Sequence, residues 1–248
     1  MRLSVLLILL AACKKQSSPT TPIDTDTTTP GTTDTSVGPP TVVTVETRDG
    51  VTLEGDWWAG DPGAPGFVLL HMIPPANDRT NWPRSFEKDL VREGYAVLAI
   101  DRRGAGGSEG VAVEAYEGPN GKYDVEACAL YLADQGAGPL AIIGASNGTT
   151  SMLDYAVFAP DEGLPVPVAL GFMTGGTYTE NQTAMIDLQQ PTVFTYSTAE
   201  AAWSVDQQPL DPGSWSFLEY PQGDHGTRMF DAAPEVGDDL IAFFTGVL

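Results

Sequence analysis

Two stretches of this chain set a serine between glycines two residues away on either side. They are Gly144-x-Ser146-x-Gly148 in "LAIIGASNGTT" and Gly106-x-Ser108-x-Gly110 in "DRRGAGGSEG". A serine hydroxyl is a poor nucleophile until a neighbouring base takes its proton. The chain contains 2 histidines, His71 and His225, so candidate imidazole bases are few. The imidazole in turn needs an acid that fixes its tautomer and stabilises its charged form. The chemistry these residue types could support is acyl transfer, provided the chain brings one of each together.

Local context separates the two serines. Ser146 follows a run of buried-strand character and precedes a helical pattern. A sharp turn from strand to helix would present its hydroxyl at the tip, and the crowded backbones there require small residues at positions 144 and 148. Ser108 lies in a long Gly-rich loop, "DRRGAGGSEGVAVEAYEGPNG", with no helix directly after it. Ser146 is therefore the candidate nucleophile. His225, in "GDHGT", falls in a loop after the last strand pattern, where a reactive side chain can reach such a turn. His71 ends an upstream strand and is expected to shape the site rather than act as base. Developing negative charge needs donors. One should be the backbone N–H of Asn147, and a second that of Met72 or Ile73, in the loop after "FVLLHM".

The elements that must position these groups are readable in the hydrophobic pattern. "TVVTVETRDG" and "VTLEGDWWAG" read as two strands joined at Asp49-Gly50. "GFVLLHM", "YAVLAID" and "LAIIGAS" read as short buried strands, with further strands in "VPVALGFM", "PTVFTYS" and "SWSFLEYP". Helices are expected in "NWPRSFEKDLVREGY", with Phe86, Leu90 and Val91 on one face, and in "YDVEACALYLADQG", with Val125, Cys128, Ala129 and Leu132. "TTSMLDYAVFA" should be a helix that Pro160 ends, and "PEVGDDLIAFFTGVL" a terminal helix with Pro234 near its start. Buried strands alternating with helices imply an α/β fold, a mostly parallel sheet covered on both faces. The first two strands would form its antiparallel start. No large lid insertion is expected.

With these residues in view, the chain resembles the α/β-hydrolase superfamily, nearest to small uncapped bacterial members of the dienelactone-hydrolase-like kind. The resemblance spans roughly Val42 to Leu248. It is carried by "LLHMIPPANDRTNW" as the oxyanion loop and by "IDRRGAGGSEG" as the D-x-R-G-x-G-x-S segment, with Asp101, Arg103, Gly104, Gly106 and Ser108 in place. "IIGASNG" matches the elbow and "GDHGT" the histidine loop. In the family's chain order the acid falls between serine and histidine. Glu200, just after "TVFTY", ranks first and Asp206 second; Asp187 and Asp211 are further carboxylates of the region. The family usually has Asp at the acid position, and Thr149 replaces a second small residue after the elbow glycine. The resemblance implies a serine hydrolase of carboxylic esters or related acyl compounds, with Ser146, His225 and Glu200 as its triad. The rival expectation is a surface protein that keeps the fold as a binding module.

Composition narrows the classes. An apolar fraction of 42% supports a real core, which excludes disorder as the overall state. A formal charge of −21 excludes a basic nucleic-acid footprint. Glu109 stands where a dinucleotide fingerprint starting at Gly104 needs its last glycine. No H-E-x-x-H or Cys/His cluster is present, and the two histidines cannot build a usual zinc site. No metal or organic cofactor is expected, and the partner is a small-molecule ester or acyl substrate.

The N-terminal "MRLSVLLILLAAC" has an apolar run from Leu3 to Leu10, too short for a stable span and consistent with an export signal over residues 1–12. "LLAAC" resembles the bacterial lipobox, in which Cys13 would carry lipid. Residues 13–41, rich in Thr, Pro, Ser and Asp, read as anchor and disordered tether before a catalytic-sized domain at 42–248. The expected location is extracytoplasmic, anchored to a bacterial membrane, the outer membrane or cell surface. Cys128 would then lack a disulfide partner and serve as a small core residue.

Overall fold

The computed structural model describes residues 36–176 and 180–248. The expected export signal, Cys13 and most of the expected tether lie outside the described residues. Eight strands among the described residues form one sheet. They are β1 (Thr41–Glu46), β2 (Thr52–Trp58), β3 (Gly66–Leu70), β4 (Ala96–Ile100), β5 (Leu140–Ala145), β6 (Pro167–Met173), β7 (Thr192–Ser197) and β8 (Trp215–Tyr220). Their spatial order is β1-β2-β4-β3-β5-β6-β7-β8. β1 and β2 pair antiparallel, as does β2 with β4; every other pairing is parallel. Gly50, at φ 82°, closes the turn that joins the first two strands.

The helices are α1 (Arg84–Arg92), α2 (Gly121–Asp134), α3 (Gly148–Glu162), α4 (Ala202–Gln207), α5 (Met229–Ala232) and α6 (Val236–Val247). The period-two alternation of each strand feeds two cores. Phe67 and Leu69 of β3 face Phe86 and Leu90 of α1 and Leu240 and Phe244 of α6. Val68 and Leu70 face Val125, Cys128 and Leu132 of α2 and Met152, Leu153 and Tyr155 of α3. Each fully buried large apolar side chain contributes roughly 1.5–3 kcal/mol. Trp57 and Trp58 divide in the same way, Trp58 being buried and Trp57 half-buried. Cys128 is a free, fully buried thiol.

Two expectations differ in detail. Val91 is only half-buried. Helix α3 runs through Pro160 to Glu162, where Gly163 at φ 68° caps it. A proline in the last turn removes one hydrogen bond, and the left-handed glycine supplies the actual stop.

The parallel strands point their carboxyl ends the same way. The segments after β3, β5, β6, β7 and β8 therefore gather at one edge of the sheet, where ligands of such folds bind. All the candidate catalytic residues sit in those segments.

Candidate active site

Ser146 is the first residue after β5 and has φ 50°, a left-handed conformation that a non-glycine residue adopts at a cost of roughly 1–3 kcal/mol. Its N–H donates to Met173 O at the end of β6, 2.7 Å away. Its carbonyl accepts from Thr149 N at 3.0 Å and from Thr149 Oγ1 at 2.6 Å. Thr149 thus braces the strained turn. The need for small flanking residues is steric. A Cβ on Gly148 would lie 2.5 Å from Leu70 O, and one on Gly144 would lie 2.8 Å from Thr149 N.

His225 follows β8 and directs Nε2 at Ser146 Oγ, 2.5 Å away, and Nδ1 at Glu200 Oε2, 2.6 Å away. Glu200 ends a short 3₁₀ turn directly after β7. The three groups form one continuous hydrogen-bonded chain. With Nδ1 donating to the carboxylate, Nε2 is left as an acceptor for the serine proton. The serine is buried, whereas the Glu200 side chain is 41% exposed, so its end of the chain meets solvent.

The other carboxylates have different surroundings. Asp211 Oδ1 accepts from the N–H groups of Gly213, Ser214 and Trp215, a turn that launches β8. Asp187 borders a separate surface hollow between α3 and the segment 184–190, with Val157, Pro160 and Leu188. Asp206, on α4, lines the cavity beside His225 without touching the imidazole. That cavity, of about 420 Å³, is walled by Thr174, Gly175, Gly176, Glu200, Trp203, Asp206 and His225. Trp203 rests on Phe172 and Phe194, with ring centroids 5.7 and 6.0 Å away, and its ring lies where a Cβ on Gly175 would be.

Ser108 is a loop clamp. Its hydroxyl donates to Asp101 O at 2.6 Å and accepts from Glu54 N at 2.9 Å. His71 is fully buried with both ring nitrogens engaged. Nε2 faces the N–H of Arg102 at 2.9 Å and must accept, so Nδ1 carries the proton it donates to Met72 O at 2.8 Å. Burial first, and the Arg102 charge second, push its pKa down to about 3, so the ring is neutral. His71 shapes the loop that carries Met72 and Ile73. Among the described residues, no acceptor faces the N–H of Asn147, Met72 or Ile73.

Two residues that pattern reading passed over also belong to this site. Thr174, after β6 at φ 50°, accepts the N–H of Gly226 on Oγ1 at 3.1 Å and donates its own N–H to Thr195 O at 2.8 Å. Arg102 is wholly buried behind Asn147 and Met72. The only available signals were Thr174's position directly after a strand and Arg102's place beside the Asp101 and Arg103 of the loop motif.

Solved structures share this arrangement of strands and helices. An esterase of Pyrococcus furiosus, Pf2001, matches with a TM-score of 0.65 at 17% identity, over 84% of this chain and 92% of that one. XC6422 of Xanthomonas campestris, an α/β serine hydrolase without a lid, matches at 0.65 and 15% identity, over 86% and 96%. The Rhodococcus sp. esterase RhEst1 matches at 0.65 and 14%, over 84% and 99%. No protein-family model and no curated protein matches the chain. At such identities the likeness shows the fold. This chain has the α/β-hydrolase fold, with no cap domain among the described residues.

Proposed function

We propose that this chain is a serine hydrolase that cleaves carboxylic esters or related acyl compounds. The observation that carries this reading is the chain Ser146 Oγ, His225 Nε2, His225 Nδ1, Glu200 Oε2, joined at 2.5 and 2.6 Å with the serine at a left-handed turn. In the reaction, Ser146 Oγ attacks the carbonyl carbon as its proton passes to His225 Nε2. The carbonyl oxygen becomes an oxyanion held by the N–H of Asn147 and that of Met72 or Ile73. The leaving alcohol takes the proton from His225 as its bond to carbon breaks. Water, deprotonated by the same imidazole, then cleaves the acyl-enzyme and restores Ser146. Glu200 holds the imidazole in the tautomer this cycle needs and offsets its transient charge.

The cavity of about 420 Å³ beside His225 offers room for a small acyl or alcohol group, with the Trp203 ring as one wall. In this reading Cys13 carries lipid and residues 14–41 tether the domain to an extracytoplasmic membrane face. The test is Ser146→Ala assayed on a panel of 4-nitrophenyl esters. Turnover should be abolished with the circular dichroism spectrum unchanged; full residual activity would overturn the assignment.

A further inference from the structure

Arg102 presents an unusual arrangement. Its side chain is completely buried, yet the four groups that accept its hydrogen bonds are all neutral. Nη1 donates to Asn147 Oδ1 at 2.8 Å and, at 3.4 Å, to Met72 O. Nη2 donates to Ala115 O at 2.6 Å and to Ser151 Oγ at 2.8 Å. Nε has no partner. The next residue, Arg103, instead meets Asp124 at 2.8 Å and clasps both oxygens of Asp49 at 2.7 and 3.1 Å. Arg103 therefore suffices as the structural ion pair of this loop, and Arg102 needs another reason to be where it is.

Burying a guanidinium without a touching carboxylate is costly, because its hydration is not fully replaced. Burial pulls the Arg102 pKa down to about 10, so it still carries its proton near neutral pH. The groups it grips indicate what it does. Asn147 is the residue after Ser146 and supplies the first oxyanion N–H. Met72 O belongs to the same peptide unit as the N–H of Ile73. That peptide is trans, since Pro74–Pro75 is the one cis bond among the described residues. In a trans peptide the C=O and N–H point in opposite directions. Pulling Met72 O toward Arg102 and His71 Nδ1 therefore turns the Ile73 N–H away from them. A planar fork is suited to this task, because it reaches several acceptors at fixed angles.

We propose that Arg102 is the positioning residue of the oxyanion hole, joining Asn147 on the elbow to the Met72–Ile73 peptide on the facing loop. The proposal rests on the serine-hydrolase reading and deepens it. It makes Ile73, rather than Met72, the second donor. Arg102 acts through these two backbone groups and does not touch substrate.

The test measures kcat and KM for 4-nitrophenyl acetate on the full chain and on Arg102→Met, Arg102→Lys, Asn147→Ala and the Arg102→Met/Asn147→Ala double variant. Losing an oxyanion donor outright costs on the order of a hundred- to a thousandfold in kcat, and misaiming one costs less. Arg102→Met should lower kcat about 10- to 100-fold, with KM within about threefold. Arg102→Lys should recover part of the loss, since a single ammonium satisfies fewer of these acceptors. Asn147→Ala should lower kcat about tenfold, and the double variant should be no slower than Arg102→Met, because both act through one linkage. If Arg102→Met does not fold, Asn147→Ala decides alone, as it cuts the same linkage from the residue that precedes α3. Folded variants with unchanged kcat, or losses that multiply in the double variant, would overturn the proposal while wild-type turnover upholds the hydrolase. A wild-type chain that cleaves no ester and takes no fluorophosphonate at Ser146 would overturn the hydrolase reading, and this proposal with it.

Discussion

Thr174 Oγ1 accepts the backbone N–H of Gly226 at 3.1 Å, which ties the end of β6 to the residue immediately after His225. Both partners are buried and both have positive φ, 50° and 57°. The histidine loop is therefore anchored, beyond its own internal hydrogen bonds, to a strained residue that follows β6. Thr174→Val keeps the β-branched shape and removes the acceptor. The orphaned N–H should cost about 1–3 kcal/mol. The variant should unfold earlier in urea and lose about tenfold in kcat, whereas Thr174→Ser, which retains the oxygen, should stay within about threefold.

Glu200 and Asp206 both border the cavity, but only Glu200 meets the imidazole, at 2.6 Å. Glu200→Gln should lower kcat on an ester by about a hundredfold or more, because an amide does not offset the imidazolium charge. Asp206→Asn should stay within about threefold. Steady-state kinetics of the two variants on one substrate check the assignment, and reversed effects would transfer the acid role to Asp206.

The strain at Ser146 makes a prediction about stability. At φ 50° glycine avoids a penalty that any L-residue bears. Ser146→Gly should therefore be more stable than Ser146→Ala by about 1 kcal/mol, although both are inactive. Parallel urea titrations measure the difference. Equal midpoints would mean that the surrounding fold does not hold this residue in the left-handed region.

How much of this was legible beforehand depends on the kind of signal. The strand-turn-helix around Ser146 was plain, because a buried run such as Leu140–Ala145 ending at Gly144-x-Ser146-x-Gly148 allows few geometries. The place of Glu200 could be anticipated from its distance beyond the Thr192–Ser197 strand. The order of strands could not be read, since β4 lies between β2 and β3 in space through pairings distant in sequence. Arg102 was invisible for a different reason. Arginine reads as surface, and only tertiary structure shows a buried guanidinium on neutral acceptors. Proline opposes helix interiors, which makes Pro160 look like a stop, but in a final turn it removes one bond and the helix continues to Glu162.

Glu87, on the buried face of α1, gives a pH dependence unrelated to catalysis. Arg84 meets one carboxylate oxygen at 3.0 Å and the other has no partner among the described residues. Burial outweighs the pull of Arg84 and raises the pKa to about 8, from 4.5. The sign follows from proton counts. Between about pH 4.5 and 8 the folded chain keeps a proton that the unfolded chain has released, so this group's contribution to stability falls as pH rises. Glu87→Gln removes the ionisation. Its thermal midpoint should drop less than that of wild type between pH 5 and about pH 8.5. Parallel slopes would assign the wild-type trend to other groups.

The central claim is that Ser146 is a nucleophile activated by His225. The most direct measurement is reaction of the folded chain with a fluorophosphonate probe, followed by peptide mass spectrometry, in wild type and His225→Ala. The account predicts a single adduct on Ser146, formed at least a hundredfold more slowly without the imidazole. An unlabelled Ser146 in folded wild type, or labelling at the same rate in His225→Ala, would contradict it.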